Sequence, residues 1–193
     1  IVDGKPYTGQ YAYGADPVEP DTTKPADAQY TYTFIGWDKE VVAVTGDTTY
    51  TARYQETIRK YAVTFIVGTG TVTEQYEYGT TPEVPGDLSK PATAEYSYTF
   101  AGWDKEIAQV TGDATYTAQY SEAKNKYTVT FIVGDRVIEQ PYEYGAIPTE
   151  PGDVSKPADA QYTYTFKGWD KDIDKVTGNV TYTAEYDKTV NTY

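Results

Sequence analysis

The sequence contains no cysteine, no histidine and no methionine. Without cysteine, disulfides, thiol nucleophiles and thiolate metal sites are all excluded. Without histidine, the chain lacks the commonest general base and the commonest metal ligand. These absences disfavour an enzyme, and we expect no catalytic residue, no cofactor and no metal.

Basic charge and long apolar runs are also scarce. The 29 acidic residues outnumber the 16 basic ones and give a formal net charge of −13 at pH 7. This balance predicts a solubilising surface and no nucleic acid partner. No apolar run approaches the ~18 residues of a membrane span, and no signal peptide is seen, so we expect no membrane insertion. The chain opens on Ile1 rather than methionine, as a mature or excised segment would.

Tyrosine, by contrast, is abundant, and it occurs in a threefold repeat. Residues 30–54, 96–120 and 162–186 share the pattern Y-[ST]-Y-T-F-x-G-W-D-K, followed by V-T-G and T-Y-T-A-x-Y. The tryptophans are spaced 103 − 37 = 66 and 169 − 103 = 66 residues apart. A fixed period of this size is typical of a tandem array of small modules.

Alternating apolar residues in the second copy predict β-strands at residues 61–67, 71–78, 96–100 and 114–120. The proline-rich residues 81–91 predict an ordered crossover without regular structure. Single helical turns are weakly indicated at residues 91–94 and 105–111. Residues 55–60 and 121–126 are predicted to be short polar links between modules. The fold class is therefore mainly β, with little helix.

The period predicts the domain boundaries. Repeat 1 covers residues 1–57 and lacks most of its first strand, repeat 2 covers 58–123, repeat 3 covers 124–187, and 188–193 begin a link to a following repeat. The missing strand has the sequence V-T-F-I-V and occurs only at 63–67 and 129–133, while residues 1–2 align with its end. The sequence leaves open whether this strand pairs with the elements before it or after it. It also leaves open whether the incomplete module is a cut through a longer array or an open edge for another copy.

The order of the motifs resembles the Listeria–Bacteroides repeat, which includes the B repeat of internalin B. The matching motifs are Y-T-V-T-F, Y-E-Y-G, a crossover with S-K-P-A-D-A, Y-T-F-x-G-W and V-T-G-D-x-T-Y-T-A-x-Y. The resemblance spans nearly the whole chain and implies α+β modules of the β-grasp (ubiquitin-like) kind in extracellular bacterial surface proteins. It carries over no catalytic residue. The repeat signature, which we interpret as structural, consists of Gly36, Trp37, Tyr50, Gly102, Trp103, Tyr116, Gly168, Trp169 and Tyr182.

Two sets of residues with side-chain oxygens suggest a function. Paired carboxylates in G-W-D-K-[DE] suggest glycoside hydrolysis, but two acids in one turn more often solvate a corner and accept backbone N–H groups. The T-G-[DN] turns suggest calcium, but no D-x-D-x-D-G loop is present, and a turn held by its own side chain is the simpler interpretation. These residues are Asp38, Glu40, Asp104, Glu106, Asp170 and Asp172 in the first set and Asp47, Asp113 and Asn179 in the second.

Two further sets are aromatic and basic. Exposed tyrosine or tryptophan faces would stack on sugars, but the tryptophans end a core-facing alternation, which favours burial. The lysines before proline in each crossover could cross-link to acids, although their spacing does not show it. They are Lys24, Lys90 and Lys156.

These patterns favour a spacer or stalk in an extracellular bacterial surface protein or adhesin, anchored to the cell envelope through parts outside this sequence. A module of this size has a diameter of roughly 30 Å, so three in line would reach roughly 90 Å. The neighbouring repeats are then its main partners. The alternatives are a binding module for glycan or host protein through exposed tyrosine and tryptophan faces, and strand-complemented self-assembly at the open module.

Overall fold

The computed structural model describes residues 1–192, and Tyr193, the last residue of the predicted link, lies outside the described residues. All regular secondary structure in residues 1–192 is β-strand, which confirms the predicted mainly β class and the tandem arrangement of small modules. No helix within this range is long and apolar enough to cross a membrane. The strands are β1 (Tyr30–Trp37), β2 (Ala52–Ile58), β3 (Lys60–Val67), β4 (Gly70–Glu77), β5 (Tyr96–Trp103), β6 (Ala114–Lys124), β7 (Lys126–Val133), β8 (Arg136–Glu143), β9 (Tyr162–Trp169) and β10 (Val180–Val190).

The strands form three small sheets with the orders β1-β2, β4-β3-β6-β5 and β8-β7-β10-β9. In each four-stranded sheet an antiparallel hairpin leads into a parallel central pair, β3 with β6 and β7 with β10. The V-T-F-I-V strand therefore pairs with the elements that follow it, which answers the question that the sequence left open. The resemblance implied α+β modules with a little helix, and residues 1–192 form none.

The weakly indicated helical turns do not form. Residues 91–94 and 105–111 contain no helix. In the first segment the Thr93 hydroxyl accepts the Tyr96 N–H at 2.9 Å, which makes a side-chain turn. In the second segment the backbone of Val110 bonds to Gly79 and Thr80 instead of to its own neighbours. Backbone groups that find partners across the fold have no need of a local helix.

The prediction of separate polar links between the modules is wrong. Strand β2 continues to Ile58 and β3 begins at Lys60, so Arg59 alone separates them. Strand β6 continues to Lys124 and β7 begins at Lys126, so Asn125 alone separates them. The polar composition of these stretches reflects exposed strand ends, whose side chains need no apolar partner.

The contacts divide the chain into two compact units, one formed by residues 1–87 and 103–118 and the other by residues 88–102 and from Gln119 onward. The core of the first unit is a buried cluster of Val63, Phe65, Val110 and Tyr116. The core of the second is the matching cluster of Val129, Phe131, Val176 and Tyr182. Each core lies between the parallel strand pair and the segment that precedes the last strand.

The first repeat carries only the end of its first strand. The N–H of Ala52 donates to the Ile1 carbonyl at 2.9 Å, and the Ile1 amino group donates to the Tyr50 carbonyl. Val2 is buried and closes a tight turn with Lys5. Ile1 thus occupies the place that Ile66 takes in the second repeat, where Ile66 pairs with Thr117.

Candidate functional site: repeat corners and junctions

The Gly-Trp pair of each repeat forms a corner at the end of a strand. The glycines have φ values of 123°, 136° and 153°, a region that disfavours other residues. A register shift lies beside the first and the third of them, so the strand bulges there and the next side chain is re-aimed. The pairs are Gly36–Trp37, Gly102–Trp103 and Gly168–Trp169.

The tryptophan rings turn inward at these corners and are half-buried. Trp103 lies 5.1 Å from the Phe65 ring and Trp169 lies 5.0 Å from the Phe131 ring, centroid to centroid. The indole N–H groups of Trp37 and Trp169 donate to the carboxylates of Glu19 and Glu150, each at 3.0 Å. Such rings contribute to the packing of their repeats through contacts with neighbouring phenylalanines.

The first acid of each G-W-D-K motif holds the neighbouring strand. Its carboxylate accepts the backbone N–H of a threonine in the last strand of the repeat or directly before it, and its own N–H donates to the carbonyl of that threonine. The acceptor bonds measure 2.7 Å for Asp38 with Thr51, 2.8 Å for Asp104 with Thr117 and 2.8 Å for Asp170 with Thr183. The bond from Thr51 lowers the pKa of Asp38 below its ordinary value. The expectation that these acids accept backbone N–H groups is confirmed, while the second acids, Glu40, Glu106 and Asp172, are exposed.

The lysine of the same motif lies over the signature tyrosine of its repeat. The ammonium-to-centroid distances are 5.3, 5.0 and 5.7 Å, within cation–π range. The tyrosine hydroxyl in turn accepts a backbone N–H from the segment before the last strand, at 3.3–3.4 Å. Tyr116 and Tyr182 are buried and stack on Phe65 and Phe131, each at 5.4 Å. The pairs are Lys39–Tyr50, Lys105–Tyr116 and Lys171–Tyr182.

In the second and third repeats the T-G-[DN] side chain bonds to the neighbouring parallel strand, so the predicted self-held turn is wrong for Asp113 and Asn179. Asp113 accepts the N–H of Ala62, and Asn179 accepts the N–H of Thr128, both at 2.8 Å. The donors lie in the first strand of the same repeat, 51 residues earlier. Among residues 1–192, no group of three or more acidic residues is placed to hold a metal ion.

The crossover lysines lie against tyrosines, a role that the sequence did not suggest. Each ammonium lies near two rings, one on the third strand and one on the fourth strand of its repeat. The distances to the nearer and the farther ring are 3.6 and 5.6 Å for Lys24, 3.6 and 5.6 Å for Lys90, and 4.2 and 5.8 Å for Lys156. A cation between two aromatic faces attaches the irregular crossover to the sheet. The signal in the sequence that could have pointed to these contacts is the recurrence of the lysines and tyrosines at the period of 66 residues.

An aspartate at the end of the crossover orders the start of the third strand in the first and third repeats. Asp27 accepts N–H groups from Gln29 and Tyr30 and the hydroxyl of Tyr32. The Tyr32 bond lowers the pKa of Asp27, and the Asp27 bond raises the pKa of Tyr32 to about 12. The same contacts link Asp159 to Tyr164 at 2.6 Å, with the carboxyl pKa lowered and the phenol pKa raised.

A single residue joins the last strand of one repeat to the first strand of the next: Arg59 lies between β2 and β3, and Asn125 lies between β6 and β7. At the second junction the N–H of Asn125 donates to the Glu95 carbonyl at 2.9 Å, and the Asn125 carbonyl accepts the N–H of Tyr144 at 2.9 Å. The Asn125 side-chain amide donates to the carbonyls of Thr93 and Ala94, at 2.8 and 3.1 Å. The backbone of Asn125 is therefore bonded to both repeats, and its side chain adds two bonds to the second repeat.

The same contacts recur at Arg59, between β2 and β3, and at Asn191, the equivalent position after β10. Arg59 donates from its backbone to the Gln29 carbonyl at 2.9 Å and from its guanidinium to the Asp27 carbonyl at 2.5 Å. Asn191 donates to the Gln161 carbonyl at 3.0 Å and to the Asp159 carbonyl at 2.9 Å. The phenols of Tyr61 and Tyr127 add bonds of 2.7 Å to the carbonyls of Ala28 and Ala94. Sequence reasoning missed these residues, although Arg59, Asn125 and Asn191 recur at the repeat period.

Comparison with known proteins gives distant likenesses. No protein-family model matches the chain. A protein of Evansella cellulosilytica described as "Putative membrane protein" is 27% identical over 175 residues, which cover 81% of this chain and 25% of that protein. The chain thus spans about a quarter of the length of this relative. A solved structure of streptococcal SHIRT (high identity repeats in tandem) domains 3-4 from a cell surface protein is 18% identical, with a TM-score of 0.32, covering 68% of this chain and 99% of that one.

Proposed function

We propose that the chain is a spacer, a part of a stalk that holds a distal domain away from a bacterial cell surface. The observation that carries the proposal is the junction, where a single residue separates two strands and is bonded to both repeats. Arg59 and Asn125 have little freedom to act as hinges, because their backbone N–H and carbonyl groups are already paired. A stalk needs this property, and a binding module does not.

The corners support the same role. The Trp and Tyr of the signature pack in the cores of the second and third repeats, so we infer that the signature residues are structural. The acidic balance of the chain, with its net charge of −13, disfavours association between neighbouring copies. The description of the Evansella relative as a "Putative membrane protein" fits a place at the bacterial envelope.

Small-angle X-ray scattering over a concentration series tests the spacer. We expect a concentration-independent rod, at least as long as the roughly 90 Å that three modules in line would reach. A double variant, Asn125→Ala with Tyr127→Phe, removes the side-chain bonds at the second junction and should shorten and broaden the distribution of interatomic distances. Tyr142→Phe removes a phenol that bonds to Gln140 and Thr149 away from the junction, and should leave the distribution unchanged.

Other scattering results would contradict the spacer. A compact wild-type particle would mean that the repeats fold back on one another. Growth in length with concentration would mean that the sheet edge of the first repeat recruits another copy. In both cases the binding and self-assembly readings would take the place of the stalk.

A glycan-binding role has one observation in its favour. Tyr7 and Tyr13 are 56% and 84% exposed, in the irregular part of the first repeat. Exposed phenol rings can stack on sugar faces. Binding to a glycan array that is lost in Tyr7→Ala with Tyr13→Ala would establish this role, whereas a spacer should give no specific signal.

A further inference from the structure

In the third repeat the first strand and the last strand are parallel neighbours. Strand β7 pairs with β10 from Val129↔Val180 to Ile132↔Thr183. The chain enters this repeat at the start of β7 and leaves it at the end of β10. Tension along the chain therefore pulls the two strands in opposite directions along their shared axis.

This direction of loading decides how the ladder breaks. When parallel strands slide past each other, all of their evenly spaced hydrogen bonds carry the load together. When the strands are peeled from one end, the bonds break one after another. We propose that the β7–β10 ladder is a force-bearing clamp that makes the repeat resist mechanical unfolding. The proposed spacer role supplies only the source of the tension, since the resistance is a property of the sheet itself.

A side-chain bond lengthens the clamp. Asn179 lies directly before β10, and its side-chain oxygen accepts the N–H of Thr128 at 2.8 Å. Thr128 and Asn179 occupy the place next to the first backbone pair, Val129 with Val180. The Asn179 side chain thus adds one rung to the ladder at the end where the tension enters β7.

The core packs against one face of the clamp. Phe131 and Tyr182 are register partners across the two strands, stack at 5.4 Å and are 1% and 3% exposed. Sliding by one residue would place these rings against the wrong neighbours. Rupture therefore has to disturb the core as well as the ladder.

The second repeat has the same device. Strand β3 pairs in parallel with β6 from Val63↔Ala114 to Ile66↔Thr117. Asp113 supplies the additional rung by accepting the N–H of Ala62 at 2.8 Å. Within the described residues the first repeat retains only the bonds of Ile1 to Tyr50 and Ala52, so the clamp belongs to the second and third repeats.

Single-molecule pulling in two directions tests the clamp on the full chain. Because the chain has no cysteine, pairs of introduced cysteines can hold the handles. Lys126→Cys with Lys188→Cys loads the third repeat along the strands, and Lys126→Cys with Thr177→Cys peels β7 from β10 at one end. We expect the first pair to rupture at about twice the force of the second, or more, at equal loading rate. Equal rupture forces would overturn the proposal.

A set of variants tests the additional rung under the along-strand geometry. Asn179→Ala should lower the rupture force, and Asn179→Asp should retain it, because aspartate fills this place in the second repeat. Asn191→Ala is the matched control, since Asn191 lies beyond the handle at Lys188 and should leave the force unchanged. Equal losses in Asn179→Ala and Asn191→Ala would overturn the assignment of the rung. Pulling on one repeat does not depend on the scattering result, so failure of the clamp and failure of the spacer are distinguishable.

Discussion

At the scale of single residues, the bond between Asp27 and Tyr32 gives a measurable titration. Tyr32 has a pKa raised to about 12 from its ordinary 10.0, mainly because its hydroxyl donates to the Asp27 carboxylate. Asp27→Ala should bring the pKa of Tyr32 back towards 10, as followed by its ring resonances in NMR. Asp21→Ala is the control, because it removes a charge from the same crossover without touching the Tyr32 hydroxyl.

The same bond sets a dependence of stability on alkaline pH. The folded-state pKa of Tyr32 lies above the unfolded one, so the contribution of the bond is complete below pH 10 and is lost as the pH rises through about 12. Wild type should therefore lose more stability than Asp27→Ala between these two pH values. Urea unfolding at several pH values measures the difference, and parallel losses would contradict it.

Trp103 provides a second prediction at this scale. Its ring packs against Phe65 and the core cluster of its unit. Trp103→Ala should lower the free energy of unfolding by about 3 kcal/mol, because a large aromatic leaves a cavity. Tyr13→Ala removes a side chain that is 84% exposed and should change it by less than about 0.5 kcal/mol. Urea unfolding followed by circular dichroism compares the two, and a small loss in Trp103→Ala would favour an exposed platform.

At the scale of the elements, the junctions connect successive strands with no loop between them. Asn125→Ala removes two side-chain bonds to the carbonyls of Thr93 and Ala94. We expect a loss of about 1 kcal/mol in the free energy of unfolding, since the freed carbonyls are accessible to water. Val137→Ala, at a residue 62% exposed on the edge strand β8, is the control and should change little. No loss in Asn125→Ala would mean that the backbone bonds alone hold the junction.

The sequence was sufficient to predict the strands but not their ends. Alternation of tyrosine with threonine places residues 96–100 in β5, because every second side chain needs an apolar partner. The continuation of β6 from Ser121 to Lys124 has exposed side chains, so it has no such alternation to read. Backbone pairing alone extends the strand there.

The candidate sites were likewise predicted only in part. The corner aspartates were predicted to accept backbone N–H groups, because acids in turns commonly do so. The partner of Asn179 lies 51 residues away in β7, and nothing in the local T-G-N sequence specifies a strand at that distance. The junction residues belonged to stretches that composition marked only as polar. In these places the repeat period, and not the local pattern, was the usable signal.

At the scale of the whole molecule, the repeats should differ in local stability, because arrays are held by the sum of their modules and interfaces. The first sheet has two strands, and a two-stranded sheet is marginal by itself. Val63 and Val129, on the central strands of the other sheets, have no exposed surface. We therefore expect the amide hydrogens of β1 and β2 to exchange at least about tenfold faster than those of β3 and β7, a gap of about 1.4 kcal/mol in opening free energy.

Hydrogen exchange measured residue by residue checks this order. It also shows whether the junction and the clamp open together or independently. If the N–H of Asn125 exchanges as slowly as that of Val129, the junction and the clamp open as one cooperative unit, and tension reaches the β7–β10 ladder without loss. If the N–H of Asn125 exchanges as fast as the amides of β1, the junction opens by itself and the array is flexible between clamps. Because the N–H and carbonyl of Asn125 are both bonded, we expect the slow result.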